Sequence, residues 1–140
     1  MQNSYERARE LLGHSLSDQK FIDFVSELDE EPQESSGEGR VVLLFPKARF
    51  IIIAAMNSVI GVIIGQFPEL ESHTLKGEVL PFGVLTTDSR QTVQAKLGSR
   101  LKRSESVAHA VHDHYDLGEI QITFSFSQTT GRVSSLLIER

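Results

Sequence analysis

The clearest pattern in this sequence is the alternation of apolar and polar residues toward its end. Ile120, Ile122, Phe124 and Phe126 are separated by single polar residues. This two-residue period predicts an antiparallel strand with one buried and one solvated face. Runs of β-branched and aromatic residues elsewhere predict five further strands. The predicted strands cover residues 41–45, 50–55, 59–64, 107–115, 120–127 and 132–138.

Apolar residues at intervals of three and four predict three helices. The first begins at Asn3, whose side chain can cap it, and ends before Gly13. The second begins after Ser17 and ends before Pro32, because proline cannot continue a helix. The third covers residues 89–97.

Two polar segments interrupt these elements. Residues 30–39 predict an exposed loop, and the basic residues 99–106 predict a linker. The apolar spacing also predicts a core shared by the helices and strands. Its expected members are Phe21, Val25, Phe50, Ile52, Val93, Leu97, Ile122 and Phe124.

The two halves of the chain share one plan. Gly13 and Asp18 recur as Gly83 and Asp88, and a helix and three strands follow each pair. The pattern predicts a tandem duplication, although helix-plus-meander units are also common without one. The predicted fold is a single α+β domain over the whole chain, 1–140. Its antiparallel sheet is built from two helix-plus-three-stranded-meander units with the helices packed on one face. The repeats would occupy residues 14–66 and 84–140.

Length and composition exclude several classes of protein. A chain of 140 residues suffices for one domain, and the absence of cysteine excludes disulfides and thiolate metal sites. With 14 basic and 19 acidic residues the net charge is −5, which argues against nonspecific nucleic-acid binding. The first ten residues are unlike a signal peptide, and the interrupted apolar run at 50–65 is too short for a membrane helix. We therefore expect a cytoplasmic protein that binds neither nucleic acid nor membrane.

The second half contains a loop-and-helix signature of the form LPxG…DSRxxVxxKLG, followed by a His-Tyr-Asp segment. The first half contains a matching Leu-Leu-Gly and Ser-Asp. These motifs occupy residues 80–83, 88–90, 96–98 and 114–116, with 11–13 and 17–18 as the earlier copy. They resemble small immunity-type proteins found with bacterial polymorphic toxins, although the proline usual after KLG is here Ser99. The helix-plus-meander units of these proteins are similar to those of the β-lactamase inhibitor protein and of outer-membrane assembly lipoprotein E. The resemblance implies a protein that binds and neutralises a cognate toxin, and it implies no catalytic residue.

An acidic segment provides a candidate binding site for such a toxin. Toxins that cut nucleic acids have positively charged clefts, because they must hold phosphates. An inhibitor that concentrates negative charge gains speed and specificity against them, although an acidic run is also commonly just a solvated loop. The carboxylates of the acidic segment are Glu27, Asp29, Glu30, Glu31, Glu34 and Glu38, and no Lys or Arg lies among them. The basic counterpart in the second half is Lys96, Arg100, Lys102 and Arg103.

Candidate catalytic chemistry is sparse. The sequence contains no GxSxG, P-loop or HExxH motif. His112, His114 and Asp116 would share one face of a strand and could ligate zinc or iron, but polar residues blunting an edge strand are the plainer interpretation. We expect no cofactor and no enzyme activity. Two alternatives stay open: an interaction or assembly module with another protein partner, for example through exposed sheet edges, and a metalloprotein centred on these histidines.

Overall fold

The computed structural model describes residues 4–65, 81–85, 88–107, 110–128, 131 and 133–140. The predicted cap at Asn3 and the first residue of the LPxG signature, Leu80, lie outside these residues.

The described residues form three α-helices and eight strands. The helices are α1 (Ser4–Leu11), α2 (Gln19–Leu28) and α3 (Arg90–Leu97). The strands of the first half are β1 (Gln33–Gly37), β2 (Arg40–Phe45), β3 (Phe50–Ala55) and β4 (Ser58–Ile64). Those of the second half are β5 (Leu101–Val107), β6 (Ala110–Asp116), β7 (Gln121–Ser127) and β8 (Val133–Glu139).

All eight strands join in one antiparallel sheet with the order β1-β2-β3-β4-β8-β7-β6-β5. Each half contributes a meander of four strands, and the last strands of the two halves, β4 and β8, pair at the centre. The strands β1 and β5 therefore lie at opposite edges of the sheet. The α+β class and the antiparallel sheet are confirmed. The prediction of three strands per unit is wrong, because each unit has a fourth strand at the sheet edge.

The two missing strands lie in the segments that the sequence predicts as irregular. Residues 33–37 of the predicted loop form β1, and Glu38 and Gly39 make a tight hairpin with φ angles of 55° and 78°. Residues 101–107 of the predicted linker and its surroundings form β5. Nearly all side chains of both strands are exposed. An edge strand with no buried face has no apolar alternation, so the pattern that identifies inner strands is missing.

The start of α2 also differs from the prediction. Asp18 is the N-cap residue, whereas the hydroxyl of Ser17 lies 2.8 Å from that of Ser15. At α3, Ser89 is the N-cap, and its hydroxyl accepts the backbone N–H of Thr92. Both α2 and α3 therefore begin one residue later than expected.

The core is organised around one row of directly paired residues that crosses five strands. The row consists of Phe50, Ile64, Leu136, Phe124 and Asp113, in β3, β4, β8, β7 and β6. All five are buried. At one end, Phe24 of α2 meets Phe50 edge-on with ring centres 5.3 Å apart. At the other end, Arg90 of α3 donates to Asp113.

The predicted core is largely confirmed. Of its eight members, seven are buried and Val25 is half-buried against the others. The spacing of apolar residues within helices and inner strands thus predicts which side chains pack together. The tandem duplication stays a prediction.

Candidate protein-binding surface

The acidic segment runs from the end of α2 into β1. Glu27 is exposed near the end of α2, and its carboxylate lies 3.3 Å from the guanidinium of Arg7. Asp29 closes the helix in the left-handed conformation, with φ 50°, and its N–H donates to the carbonyl of Ser26. These two carboxylates belong to the helix end and not to a loop.

Glu30 has a structural role. Its two carboxylate oxygens accept the backbone N–H groups of Lys47, at 2.9 Å, and Ala48, at 3.1 Å. Both donors lie in the turn between β2 and β3, so this carboxylate ties the entry to β1 to the neighbouring turn. Hydrogen bonds to an ionised acceptor are stronger than neutral ones. The Glu30 carboxylate is therefore engaged in hydrogen bonds within the fold.

The remaining three carboxylates lie along the edge of the sheet. Glu31 is exposed before β1, Glu34 is exposed within β1 opposite Leu43, and Glu38 is exposed in the hairpin turn that follows. Among the described residues, none of the three forms an ion pair. The six predicted residues therefore fall into two groups. Glu27, Asp29 and Glu30 form contacts within the fold or end α2, whereas Glu31, Glu34 and Glu38 are exposed along the β1 edge.

An apolar patch lies beside this edge. Leu44, Ile51, Ile63 and Leu137 are paired in register across β2, β3, β4 and β8. Strand side chains alternate in direction, so this row lies on the face opposite Phe50. Val42 and Ile53 extend it in the next row. All six are half-buried, unlike the buried residues of the Phe50 row. We call these six side chains the apolar patch.

The same face becomes polar over the second half of the sheet. The ring nitrogen Nδ1 of His114 lies 2.8 Å from the Thr123 hydroxyl, and Nδ1 of His112 lies 2.6 Å from the Ser125 hydroxyl. Thr123 and Ser125 are thereby only 6% and 7% exposed. The predicted solvated face of β7 is wrong, because the histidines of β6 pack over its hydroxyls.

The candidate metal ligands each have a different partner. His114 Nε2 lies 2.6 Å from a carboxylate oxygen of Glu105, while Asp116 lies 3.3 Å from the ammonium of Lys102. Asp116 also accepts the N–H of Gly118. Within the described residues, no three His, Asp or Glu side chains converge as a metal site requires.

The sequence-based search missed the buried carboxylate between the two histidines. Asp113 is fully buried and accepts two hydrogen bonds from Arg90, at 2.8 and 3.1 Å, with the amide of Gln94 3.4 Å away. Burial alone would raise the pKa of Asp113. Hydrogen bonds from Arg90, Ser104 and Gln94 and the charge of Arg90 outweigh burial and lower it below 3.8. The neighbouring Tyr115 has its pKa raised to about 12, chiefly by burial.

The signature residues of the second half hold one another in place. Asp88 accepts the backbone N–H of Leu85 and lies 2.8 Å from the ammonium of Lys96. That ammonium also donates to the carbonyl of Gly83 at 2.8 Å. The DSR and KLG motifs thus connect the preceding loop to α3 by hydrogen bonds. The charged residues Asp88 and Lys96 therefore have a structural role.

The two edges of the sheet differ in charge. The β1 edge carries Glu34 and Glu38, whereas β5 carries Lys102, Arg103 and Glu105. Part of the acidic segment and two residues of its basic counterpart therefore lie at opposite edges of one sheet. In the part of the chain that the structure describes, no helix is long and apolar enough to cross a membrane.

Comparisons with known proteins identify the fold. No family model and no curated protein matches the sequence. Among solved structures, an extracellular protein containing an SCP domain from Bacillus anthracis str. Ames has a TM-score of 0.64 at 12% identity. The match covers 99% of this chain and 47% of that one. A cysteine-rich secretory protein from Staphylococcus aureus subsp. aureus Mu50 has a TM-score of 0.58 at 12% identity, over 93% of this chain and 44% of its own. This chain therefore spans less than half the length of each neighbour, and at such identity the likeness concerns the fold alone.

Proposed function

We propose that this chain is a non-catalytic binding protein of the immunity type, which recognises a cognate bacterial toxin and masks its active site. The observation that carries the proposal is the apolar patch beside an acidic edge strand. Protein interfaces commonly combine an apolar centre with a polar rim. The sequence resemblance to immunity-type proteins supplies the class of partner.

The apolar patch would form the centre of the interface. Its six side chains sit in two adjacent rows, and a contiguous apolar area on a soluble protein marks an interaction site more often than scattered exposed residues do. Gln33 and Ser35 of β1 pair with Leu44 and Val42, so polar residues border the patch directly.

We infer that the helices cover the other face. Phe24 of α2 contacts Phe50, and Arg90 of α3 contacts Asp113. Phe50 and Asp113 lie in the same cross-sheet row, and side chains in one row point to one face. Among the described residues, these two helices lie on that face, and the opposite face, which carries the apolar patch, is the one we assign to a partner.

The exposed carboxylates would form the rim. Glu31 and Glu38 lie near the two ends of β1, where they can meet the positive cleft of a nucleic-acid-cutting toxin. Glu34 lies on the same edge strand, but it pairs with Leu43, so its side chain points to the helix-bearing face. Charges at a rim act mainly on the association rate and on partner choice.

The proposal keeps the expected cytoplasmic location. The first structural neighbour is an extracellular protein, and fractionation of the producing cell distinguishes a cytoplasmic from an extracellular location for this chain.

The experiment is a co-expression rescue with the adjacent gene product, because an immunity gene directly follows its toxin gene. Ile51→Lys places a charge in the apolar patch, and Ile22→Lys makes the same change at an apolar residue of α2 that is 47% exposed. We expect wild type and Ile22→Lys to protect cells and to bind the toxin, and Ile51→Lys to lose both. Full protection by a folded Ile51→Lys protein would contradict the proposed surface.

The second candidate function is an assembly module without a toxin partner. The exposed edge strands β1 and β5 favour it, because unpaired strand edges are ready templates for another chain. Failure of the adjacent gene product to bind, with capture of a protein that no toxin gene encodes, would favour this alternative.

A further inference from the structure

In the part of the chain that the structure describes, the strand β5 has no partner strand along its outer edge. It pairs with β6 on one side only, and every side chain from Lys102 to Val107 is exposed. Its outward N–H and C=O groups are a template for another strand. The charges along β5 restrict which strand fits.

The charge pattern of β5 is self-complementary. Arg103 and Glu105 flank Ser104 and point to the same face, since they are two residues apart. In an antiparallel pair with a second copy centred on Ser104, Arg103 of each copy lies opposite Glu105 of the other. Opposite charges in directly facing positions stabilise a strand pair, and like charges destabilise it.

No other residue-centred register within β5 brings opposite charges face to face. A pair centred on Arg103 places two arginines face to face, and a pair centred on Glu105 places two carboxylates face to face. In a dimer whose two-fold axis is perpendicular to the sheet, the same face of both copies points the same way. Directly paired residues also point to one face, so the axis can pass only through a residue that pairs with its own counterpart. The register centred on Ser104 is therefore selected by charge.

We propose that β5 pairs with β5 of a second copy of this chain, antiparallel and centred on Ser104, to give a symmetric dimer with one sheet continuous through both copies. The interface is isologous, so it closes after two copies. The proposal is independent of the toxin-binding surface, because the apolar patch begins several strands away on β2, β3, β4 and β8.

Three features of the edges support this register. Glu105 is already oriented by His114, at 2.6 Å, and lies 3.6 Å from Arg103 of its own strand, so the paired charges form a compact cluster. The register with β6 shifts between Leu101 and Arg103, a bulge that ends regular pairing and keeps the contact short. The other edge strand, β1, carries Glu34 and no basic residue, so two copies of it form no complementary charge pair.

The test uses sedimentation velocity over a wide concentration range at low salt. Arg103→Glu makes both facing pairs Glu against Glu, and Glu105→Arg makes both Arg against Arg. We expect each variant alone to dimerise about tenfold more weakly or worse than wild type. A mixture of the two variants restores complementary pairs, so we expect it to recover the dimer. The exchanged variant R103E/E105R, which keeps self-complementarity, should also dimerise.

Matched controls separate this contact from general charge effects. Lys20→Glu on α2 and Glu119→Arg in the turn before β7 change the net charge by the same amounts as Arg103→Glu and Glu105→Arg, respectively, but lie elsewhere, and both should dimerise as wild type does. Glu105→Arg also removes the His114 contact, so thermal unfolding of each variant confirms that it is folded.

The outcomes decide the proposal. A concentration-dependent dimer that both single variants weaken and their mixture restores supports it. A wild-type protein that stays monomeric over the whole range overturns it. A dimer that neither charge variant weakens overturns the proposed pairing, and a mixture that fails to recover the dimer overturns the proposed register.

Discussion

Arg90 on α3 donates two hydrogen bonds to Asp113 on β6, whose side chain is fully buried. The contact stands at the end of a cross-sheet row that is otherwise apolar. A charged pair therefore fixes the position of α3, whereas α2 is fixed by the contact of Phe24 with Phe50. Since Arg90 is the arginine of the DSR motif, this motif serves the fold directly.

The first prediction is that Arg90→Ala destabilises the protein strongly. Removing one partner of a buried pair leaves the other charge uncompensated, which costs about 3–5 kcal/mol for fully buried pairs. The Arg90 side chain is itself 40% exposed, so water can partly replace it, and we expect about 2–3 kcal/mol. Urea unfolding measures the loss. Gln91→Ala on the exposed side of α3 is the control and should change stability by less than about 0.5 kcal/mol. Equal stability of the two variants would contradict the assigned role of the pair.

The second prediction concerns pH. The folded-state pKa of Asp113 is lowered below its ordinary value of 3.8, because the hydrogen bonds and charge of Arg90 outweigh burial. A lowered pKa contributes stability that is present above the unfolded-state pKa and is lost as pH falls through the folded-state pKa.

The measurement compares wild type with Asp113→Asn, whose side chain does not titrate. Their difference in unfolding free energy should be constant from about pH 7 to about pH 5 and should shrink below about pH 4. A difference that stays constant to the lowest pH at which both fold would show that Asp113 does not titrate with the fold.

Much of the fold follows from the sequence, and the two strands that it misses share one physical cause. Inner strands such as β7 bury apolar residues at every second position, so their pattern is visible, and Phe124 and Ile122 are found in the core as expected. The edge strands β1 and β5 bury almost nothing. Their place in the sheet depends on backbone hydrogen bonds to β2 and β6, which side-chain patterns do not encode.

The site residues were less predictable for a different reason. Glu30 and Glu31 are adjacent and chemically identical, yet Glu30 binds two backbone N–H groups and Glu31 is exposed. That difference depends on the turn at Lys47 and Ala48, which is distant in sequence. Likewise, the pairing of Arg90 with Asp113 joins residues 23 positions apart, and no local spacing signals it.

The third prediction separates these two glutamates. Glu30→Ala removes the acceptor for the N–H groups of Lys47 and Ala48 and should cost about 1–2 kcal/mol, as the loss of a helix cap does. Glu31→Ala should change stability by less than about 0.5 kcal/mol, because surface carboxylates contribute little. Paired denaturation curves provide the comparison. If Glu31→Ala were the more damaging change, the acidic segment would be arranged differently.

The fourth prediction is that the purified protein holds no stoichiometric zinc or iron at His112 and His114. His112 contacts the Ser125 hydroxyl, and His114 has both ring nitrogens in contact with Thr123 and Glu105. A metal that used both histidines would have to displace Thr123 or Glu105 from His114. Elemental analysis after purification without chelators measures the content. One equivalent of metal that disappears in the His112→Ala/His114→Ala double variant would instead support the metalloprotein alternative.

The last prediction tests the acidic edge as a steering surface and rests on the proposed toxin partner. Glu31→Lys/Glu34→Lys reverses two exposed carboxylates and leaves Glu30 and its bonds in place. Long-range attraction raises association rates and is screened by salt over about 8 Å at physiological ionic strength. We expect toxin association to slow about tenfold at low salt and to converge with wild type as salt increases.

Its control carries the same change in net charge at other exposed sites. Asp23→Lys/Glu119→Lys reverses one carboxylate on α2 and one in the turn before β7. If attraction depends on net charge alone, the two double variants will slow equally; if it depends on the β1 edge, only Glu31→Lys/Glu34→Lys will slow strongly. Stopped-flow or surface-binding measurements of the association rate at two salt concentrations decide between these outcomes. An unchanged rate for the folded β1 variant at low salt would place the contact elsewhere, because a charge that lies at the docking edge cannot be reversed without altering the encounter with a basic partner.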